Sequence, residues 1–118
     1  MIEPKYPEYV PRLTEDDLCR KKFSSGNRRC VQGWINEAVY GSPYGALIGP
    51  QVLWWDTARA NAVEVLYQAF NKEASRMGLS GYRTPHTYND NRENSLEDIA
   101  KAFNSAMTKL GFTEESDR

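Results

Sequence analysis

The chain has 118 residues, of which 40% are hydrophobic and 26% are charged, which is the composition of one ordinary globular domain. Its 15 basic and 16 acidic residues nearly cancel, and this balance argues against direct nucleic-acid binding. No run of about 20 apolar residues predicts a membrane helix, and the N-terminus lacks the blocks of a signal peptide, so we expect a cytoplasmic protein without membrane contact.

The first 13 residues contain Pro4, Pro7 and Pro11, which predict an extended arm over residues 1–13. A short helix is expected over residues 14–23, because Thr14 can cap its backbone and the acidic residues that follow suit the positive end of the helix dipole. The folded domain is therefore predicted to begin at residue 14.

Apolar residues at helical spacing predict a second helix over residues 28–40, with Gly41 as its left-handed C-terminal cap. The segment 38–55 carries no charge and contains several glycines and prolines. This composition predicts a turn-rich connection with a short strand near residues 46–53. An uncharged, aromatic segment is equally compatible with the contact of a homodimer.

The third helix has the clearest helical periodicity and is predicted over residues 57–77. Residues 78–94 have the composition of a loop, and the length of this loop indicates local order or a binding role. A last helix is predicted over residues 96–110, with Ser95 as its N-cap.

Together these elements predict a mainly α fold, with about four helices around one core and long irregular connections. Residues 14–111 form a single helical domain in this interpretation, and residues 112–118 form a solvated tail.

Cys19 and Cys30 fall on the apolar faces of predicted helices, so buried free thiols are the first interpretation. A disulfide between them requires the first two helices to form a hairpin, and an oxidising environment. An enzyme that uses Cys30 with His86, the only histidine, as nucleophile and base is a further alternative. Since no metal-binding or phosphate-loop motif occurs, we predict neither a metal nor a cofactor.

The main candidate for a partner-binding surface combines the basic run of residues 20–29 with aromatic side chains that follow the second helix. Such a surface suits an anionic partner, although the same charges also complement helix ends. Its residues are Arg20, Lys21, Lys22, Arg28, Arg29, Tyr40, Tyr44, Trp54 and Trp55.

A second candidate surface lies in the loop of residues 78–94. Arginine, tyrosine and asparagine side chains can stack on a base and hydrogen-bond to its edge, and they equally suit an anchor in a protein interface. The residues of this alternative ligand site are Tyr82, Arg83, Tyr88, Asn89 and Arg92.

The stretch 29–33, with the sequence RCVQG, opens an amphipathic helix, and Tyr88-Asn89-Asp90 precedes the final helix. These two motifs resemble those of a family of small, uncharacterised bacteriophage and prophage proteins. An ion pair between Arg29 and Asp90, or hydrogen bonds from Asn89 and Asp90 to the loop backbone, would make both motifs structural.

The resemblance implies a phage-encoded protein in the cytoplasm of a host cell. Small phage proteins of this size often inhibit a host protein, including proteins of antiviral defence, by binding it stoichiometrically. We therefore expect a non-enzymatic binding protein with a host protein as partner. The alternative is a protein that binds or sequesters a nucleotide or another phosphorylated small ligand.

Overall fold

The computed structural model describes residues 10–22, 24–41 and 57–112. Within these ranges the fold is mainly helical, as predicted. The described elements are a 3₁₀ helix at Glu15–Asp17, a hairpin of β1 (Ser24–Ser25) and β2 (Arg28–Arg29), and the helices α1 (Val31–Tyr40), α2 (Thr57–Arg76), α3 (Pro85–Asp90) and α4 (Leu96–Lys109).

The core lies between α2 and α4, which make the most extensive contact of the fold, and α1 closes it from the side. Phe70 of α2, Phe103 of α4 and Ile35 of α1 are fully buried there. The ring of Tyr88 from α3 meets Phe70 edge to face, with centroids 6.0 Å apart. The short third helix is therefore part of the same core as the three longer ones.

Two predicted helices are confirmed, the last one with the signal that begins it and the third with the signal that ends it. α4 begins after Ser95, whose Oγ accepts a hydrogen bond from the Asp98 N–H at 3.0 Å. α2 is followed by Gly78 with a φ of +84°. α1 also ends as predicted at Gly41, whose φ is +82°, but it begins at Val31 because residues 28–29 belong to β2.

The helix predicted over residues 14–23 is wrong. Only Glu15–Asp17 forms a 3₁₀ turn, and Leu18 is extended and pairs in parallel with Arg29. β1 and β2 are joined by a two-residue turn that begins with Gly26, whose φ of +63° suits the first central position of a type II′ turn. Strand pairing and the complete burial of Leu18 outweigh the local helix signals.

The end of the N-terminal arm docks on the helical core. Val10 and Leu13 are buried, and the side chain of Asn104 both accepts from the Leu13 N–H and donates to the Leu13 carbonyl, each at 2.9 Å. The rest of the predicted arm, the strand expected near residues 46–53 and residues 113–118 of the predicted tail lie outside the described residues. Phe112, expected as the first residue of the solvated tail, instead packs against the core.

Candidate functional site

An open pocket of about 260 Å³ lies where the turn before β1, the start of α1 and the start of α3 meet. We call it the lysine pocket. Its lining residues are Lys21, Lys22, Cys30, Gln32, His86 and Asp90.

Lys21 is fixed in the wall of the lysine pocket by its backbone. It has a left-handed φ of +66°, which a side chain other than glycine seldom adopts, and its N–H donates to Asp90 Oδ1 at 2.8 Å. The same carboxylate oxygen accepts from the Asn89 side chain at 3.1 Å. One carboxylate oxygen of Asp90 therefore holds the backbone that presents the lysines.

Arg20 holds this turn from the other side. Its guanidinium donates to the carbonyl oxygens of Asn89, Asn91 and Asn94, at distances of 2.6–2.8 Å. The three carbonyl oxygens converge because the backbone makes a turn after the short helix α3. The fork of an arginine can satisfy several acceptors at once, whereas a lysine presents a single point of charge.

Gln32 and His86 form the opposite wall. Gln32 Oε1 accepts from the His86 backbone N–H at 3.3 Å and lies 3.3 Å from Nδ1 of its ring. The same ring nitrogen is 3.3 Å from the Thr84 hydroxyl. These contacts tie the start of α3 to the first turn of α1.

Cys30 lines the pocket but is largely withdrawn from it. Its Sγ accepts from the Gly33 N–H at 3.2 Å and so caps α1, a role that the sequence interpretation did not assign. Burial raises the pKa of this thiol to about 11, which disfavours the nucleophilic thiolate. Within the described residues, no hydrogen bond joins this thiol to His86.

The lysine pocket therefore has the chemistry of an anion site. Lys21 and Lys22 are exposed, and neither ammonium group has a hydrogen-bond or ion-pair partner among the residues that the structure describes. The amide of Gln32 and the imidazole of His86 can add directional hydrogen bonds. This combination suits a small ligand that carries phosphate groups.

The structure separates the predicted partner-binding surface into three groups. Lys21, Lys22 and Arg28 are exposed, whereas Arg20 is engaged by backbone carbonyls and Tyr40 packs against the core. The predicted site residues that lie outside the described ranges are Tyr44, Trp54 and Trp55.

Arg29 has a structural role within the fold. Its guanidinium forms an ion pair with Glu37 of α1, and not the pair with Asp90 that we considered, and it lies 5.1 Å from the centroid of the Trp34 ring. The indole N–H of Trp34 donates to the Asp17 carbonyl at 2.8 Å. These contacts bind the hairpin and the 3₁₀ turn to α1.

The alternative ligand site divides in the same way. Tyr88 and Asn89 are buried, whereas Tyr82, Arg83 and Arg92 are exposed. Asn89 and Asp90 do accept backbone hydrogen bonds, but from distant segments rather than from their own loop: Asn89 Oδ1 accepts from the Val31 N–H at the start of α1, and Asp90 Oδ1 accepts from the Lys21 N–H before β1.

Tyr82 and Arg83 form an exposed pair on a fixed turn. Tyr82 is 68% exposed, and the Arg83 guanidinium lies 4.9 Å from the centroid of its ring. Arg83 has a left-handed φ of +71°, and its carbonyl accepts from the buried side chain of Asn71 at 2.8 Å. The backbone is constrained while both side chains face solvent.

A second concave region of about 310 Å³ lies between the C-terminal ends of α2 and α4. At its floor the buried carboxylate of Glu73 accepts from Arg76, from the Lys109 ammonium at 2.8 Å and from the Ser105 hydroxyl at 2.7 Å. These donors lower the pKa of Glu73 well below its usual range, the hydrogen bonds with Arg76 being the largest cause. The cluster ties the two helices together.

Among residues 10–22, 24–41 and 57–112, no group of three or more histidine, cysteine or acidic side chains is placed to hold a metal ion. None of the helices in these ranges has the length and apolar character needed to cross a membrane.

Sequence reasoning placed Lys21 and Lys22 in a basic run but did not find the pocket that they line. Gln32 and His86 lie 54 residues apart, so no local pattern connects them. Asp90 belongs to the Tyr-Asn-Asp motif, and that motif was the one available signal.

Family models, curated proteins and solved structures were all compared with the chain, and none of them matches it.

Proposed function

We propose that the protein is a non-enzymatic binding protein that holds a small phosphorylated ligand in the lysine pocket. The observation that carries this proposal is the position of two exposed ammonium groups, Lys21 and Lys22, at one concave site. These two positive charges outnumber the single carboxylate of the lining, that of Asp90, and a cleft with an excess of positive charge attracts and concentrates anionic ligands. The hydrogen bond from the Lys21 N–H to the Asp90 carboxylate fixes the backbone of this turn before any ligand arrives.

The volume of the pocket limits the ligand. Pockets for drug-sized ligands range from about 300 to 1,000 Å³, and the lysine pocket, at about 260 Å³, lies just below that range. A site of this size suits a diphosphate or a sugar phosphate. Gln32 Oε1 is already engaged with His86, and Lys21 and Lys22 carry the charge that complements phosphate, so we assign recognition of the phosphate groups mainly to the lysines.

The test titrates the whole chain with pyrophosphate, with a sugar phosphate and with a nucleoside triphosphate. Calorimetry measures the binding, and a thermal-shift assay measures the stabilisation. A ligand at 100 times its dissociation constant stabilises the folded state by about 2.7 kcal/mol. We expect the double variant Lys21→Gln and Lys22→Gln to bind at least about tenfold more weakly, which corresponds to about 1.4 kcal/mol.

The matched control is Lys101→Gln, which removes an exposed lysine that pairs with Glu97 on α4. This variant should bind as the wild type does. If none of the three compounds binds, or if the double variant binds as tightly as the wild type, the phosphate proposal is wrong.

We propose a protein partner as the second candidate function, as expected for a phage-encoded inhibitor of a host defence protein. The observation that favours it is the exposed Tyr82–Arg83 pair on its fixed turn. Tyrosine and arginine dominate the binding energy of many interfaces, and a fixed backbone lowers the entropy that binding costs.

Capture from a bacterial lysate by the wild type and by variants separates the two candidates. Tyr82→Ala should lose a partner that the Tyr82–Arg83 pair binds, and Arg28→Glu should lose a partner that the exposed basic run binds. The Lys21→Gln and Lys22→Gln double variant should instead lose a phosphorylated ligand. Arg28 is the suitable residue for charge reversal because Arg29 is paired with Glu37 inside the fold. Capture that both Tyr82→Ala and Arg28→Glu leave unchanged would contradict this second candidate.

A further inference from the structure

The pairing of residues 18 and 29 places the two cysteines side by side. Leu18 pairs in parallel with Arg29, and Cys19 and Cys30 are each the next residue along. Neighbouring strands lie about 4.8 Å apart, and a disulfide joins Cα atoms that are about 4.4–6.8 Å apart. In a parallel pairing, opposed side chains also project on the same side.

Hydrogen bonds hold both segments in this register. The Cys19 N–H donates to the Arg29 carbonyl at 3.2 Å, immediately before the pair of cysteines. Immediately after it, the side-chain amide of Asn89 donates to the Cys19 carbonyl at 2.7 Å and accepts from the Val31 N–H at 2.9 Å. The two backbones are therefore tied together on both sides of the cysteines.

We propose that Cys19 and Cys30 form an intramolecular disulfide in the folded protein when a small disulfide such as oxidised glutathione is supplied. Both cysteines are free thiols in the structure. Cys19 Sγ donates to the Lys22 carbonyl at 3.4 Å, and Cys30 Sγ accepts from the Gly33 N–H. Sulfur is a weak donor and acceptor, so leaving these bonds costs little.

The reaction proceeds in two exchanges. Cys19 is the more exposed thiol, so its thiolate attacks one sulfur of oxidised glutathione, and the glutathione disulfide breaks to release one glutathione thiolate. The Cys30 thiolate then attacks the Cys19 sulfur and releases the second glutathione. The two cysteines lose two electrons and two protons in total. The two released glutathione molecules take up these electrons and protons and become thiols.

Burial raises the pKa of both thiols, most of all that of Cys30, so the exchange is slow at neutral pH. The two cysteines are therefore suited to form a disulfide during a long incubation with a redox buffer rather than to respond rapidly to peroxide. Because Cys30 caps α1 and lines the lysine pocket, the disulfide changes the lining of that pocket.

The experiment equilibrates the whole chain with glutathione redox buffers at about pH 8.5, once in native buffer and once in urea. Free thiols are then alkylated, and the intact mass is measured. We expect a monomer that has lost about 2 Da and takes up no alkylating agent, with an oxidation constant at least about tenfold larger in native buffer than in urea.

Trypsin can cleave after Arg20 and after Arg29, so the linked form yields one pair of peptides joined through Cys19 and Cys30. The variants Cys19→Ser and Cys30→Ser should give only a mixed disulfide with glutathione, and serine at position 30 keeps an oxygen that can cap α1. Two separate glutathione adducts, a dimer linked between chains, or equal oxidation constants in native buffer and urea would each overturn the proposal.

Discussion

Asn89 and Val31 join the two sequence motifs into one junction, because Asn89 Oδ1 accepts the hydrogen bond of the Val31 N–H at 2.9 Å. Val31 is the first residue of α1 and belongs to the motif of residues 29–33. Asn89 is the last buried residue of α3 and belongs to the motif Tyr88-Asn89-Asp90. The side chain of Asn89 is completely buried. The motifs on which the family resemblance depends are therefore accounted for by packing and hydrogen bonding.

The first prediction concerns this junction. Asn89→Ala leaves the Val31 N–H and the Cys19 carbonyl without their side-chain partner. An unpaired buried polar group costs about 1–3 kcal/mol, so we expect the free energy of unfolding to fall by about 2–4 kcal/mol in urea denaturation.

Asn91→Ala is the control, because the Asn91 side chain is partly exposed and accepts only the local N–H of Glu93. It should cost less than about 1 kcal/mol. Equal losses in the two variants would show that the Asn89 bonds are not what stabilises the junction.

The second prediction concerns the arginine that three carbonyls surround. Arg20→Lys keeps the charge but loses the fork that reaches Asn89, Asn91 and Asn94. We expect a loss of about 1–3 kcal/mol in the free energy of unfolding. Lys22→Ala, in the same turn but exposed, should stay within about 0.5 kcal/mol of the wild type. A conservative Arg20→Lys exchange without effect would contradict this role.

The third prediction is a dependence on pH. The pKa of Glu73 is lowered in the folded state from a reference value of 4.5, first by its hydrogen bonds with Arg76 and then by that with Lys109. An acid with a lowered folded pKa stabilises the fold fully above its unfolded pKa, and this contribution is lost as the pH falls through the folded value. The wild type should therefore exceed Glu73→Gln in stability at pH 7, by about 1–3 kcal/mol.

The difference between wild type and Glu73→Gln should shrink as the pH falls below 4.5, and thermal melts across the acidic range measure it. Glu64→Gln is the control, because Glu64 is exposed and contacts Gln68 on the same helix. A difference that grows toward low pH would have the wrong sign for the proposed cause.

The fourth prediction concerns a close contact below the Tyr82 turn. A Cβ atom on Gly81 would lie 2.5 Å from two atoms of the Tyr88 ring and 2.9 Å from the Tyr88 Cα. Because the backbone atom cannot give way easily, Gly81→Ala should cost about 1–3 kcal/mol. A denaturant midpoint equal to that of the wild type would contradict the contact.

Gly41→Asn is the matched control for Gly81→Ala. Gly41 has the left-handed backbone of a helix cap, with a φ of +82°, but no atom of the described residues lies within 4 Å of the position that a Cβ would take there. Asparagine tolerates the left-handed region, so this exchange should have a much smaller effect. The pair of variants separates lack of space from backbone conformation.

Local signals were sufficient for the long helices and for their ends. Ser95 and Gly78 lie next to α4 and α2 in sequence, and the apolar stripes of both helices repeat at helical spacing. Such signals act within one or two turns, so a sequence reveals them directly. The basic run likewise contained Lys21 and Lys22, the two charges of the lysine pocket.

Only the tertiary structure decided which of the polar residues serve the fold and which face solvent. Arg20 reaches carbonyls about 70 residues away, and Leu18 takes an extended conformation because Arg29 is there to pair with it. These contacts depend on where distant segments meet, and neither propensity nor spacing encodes that. The sequence by itself therefore determined a mainly helical core with its caps, whereas the pocket, the hairpin and the junction at Asn89 come from packing between segments that are far apart in the chain.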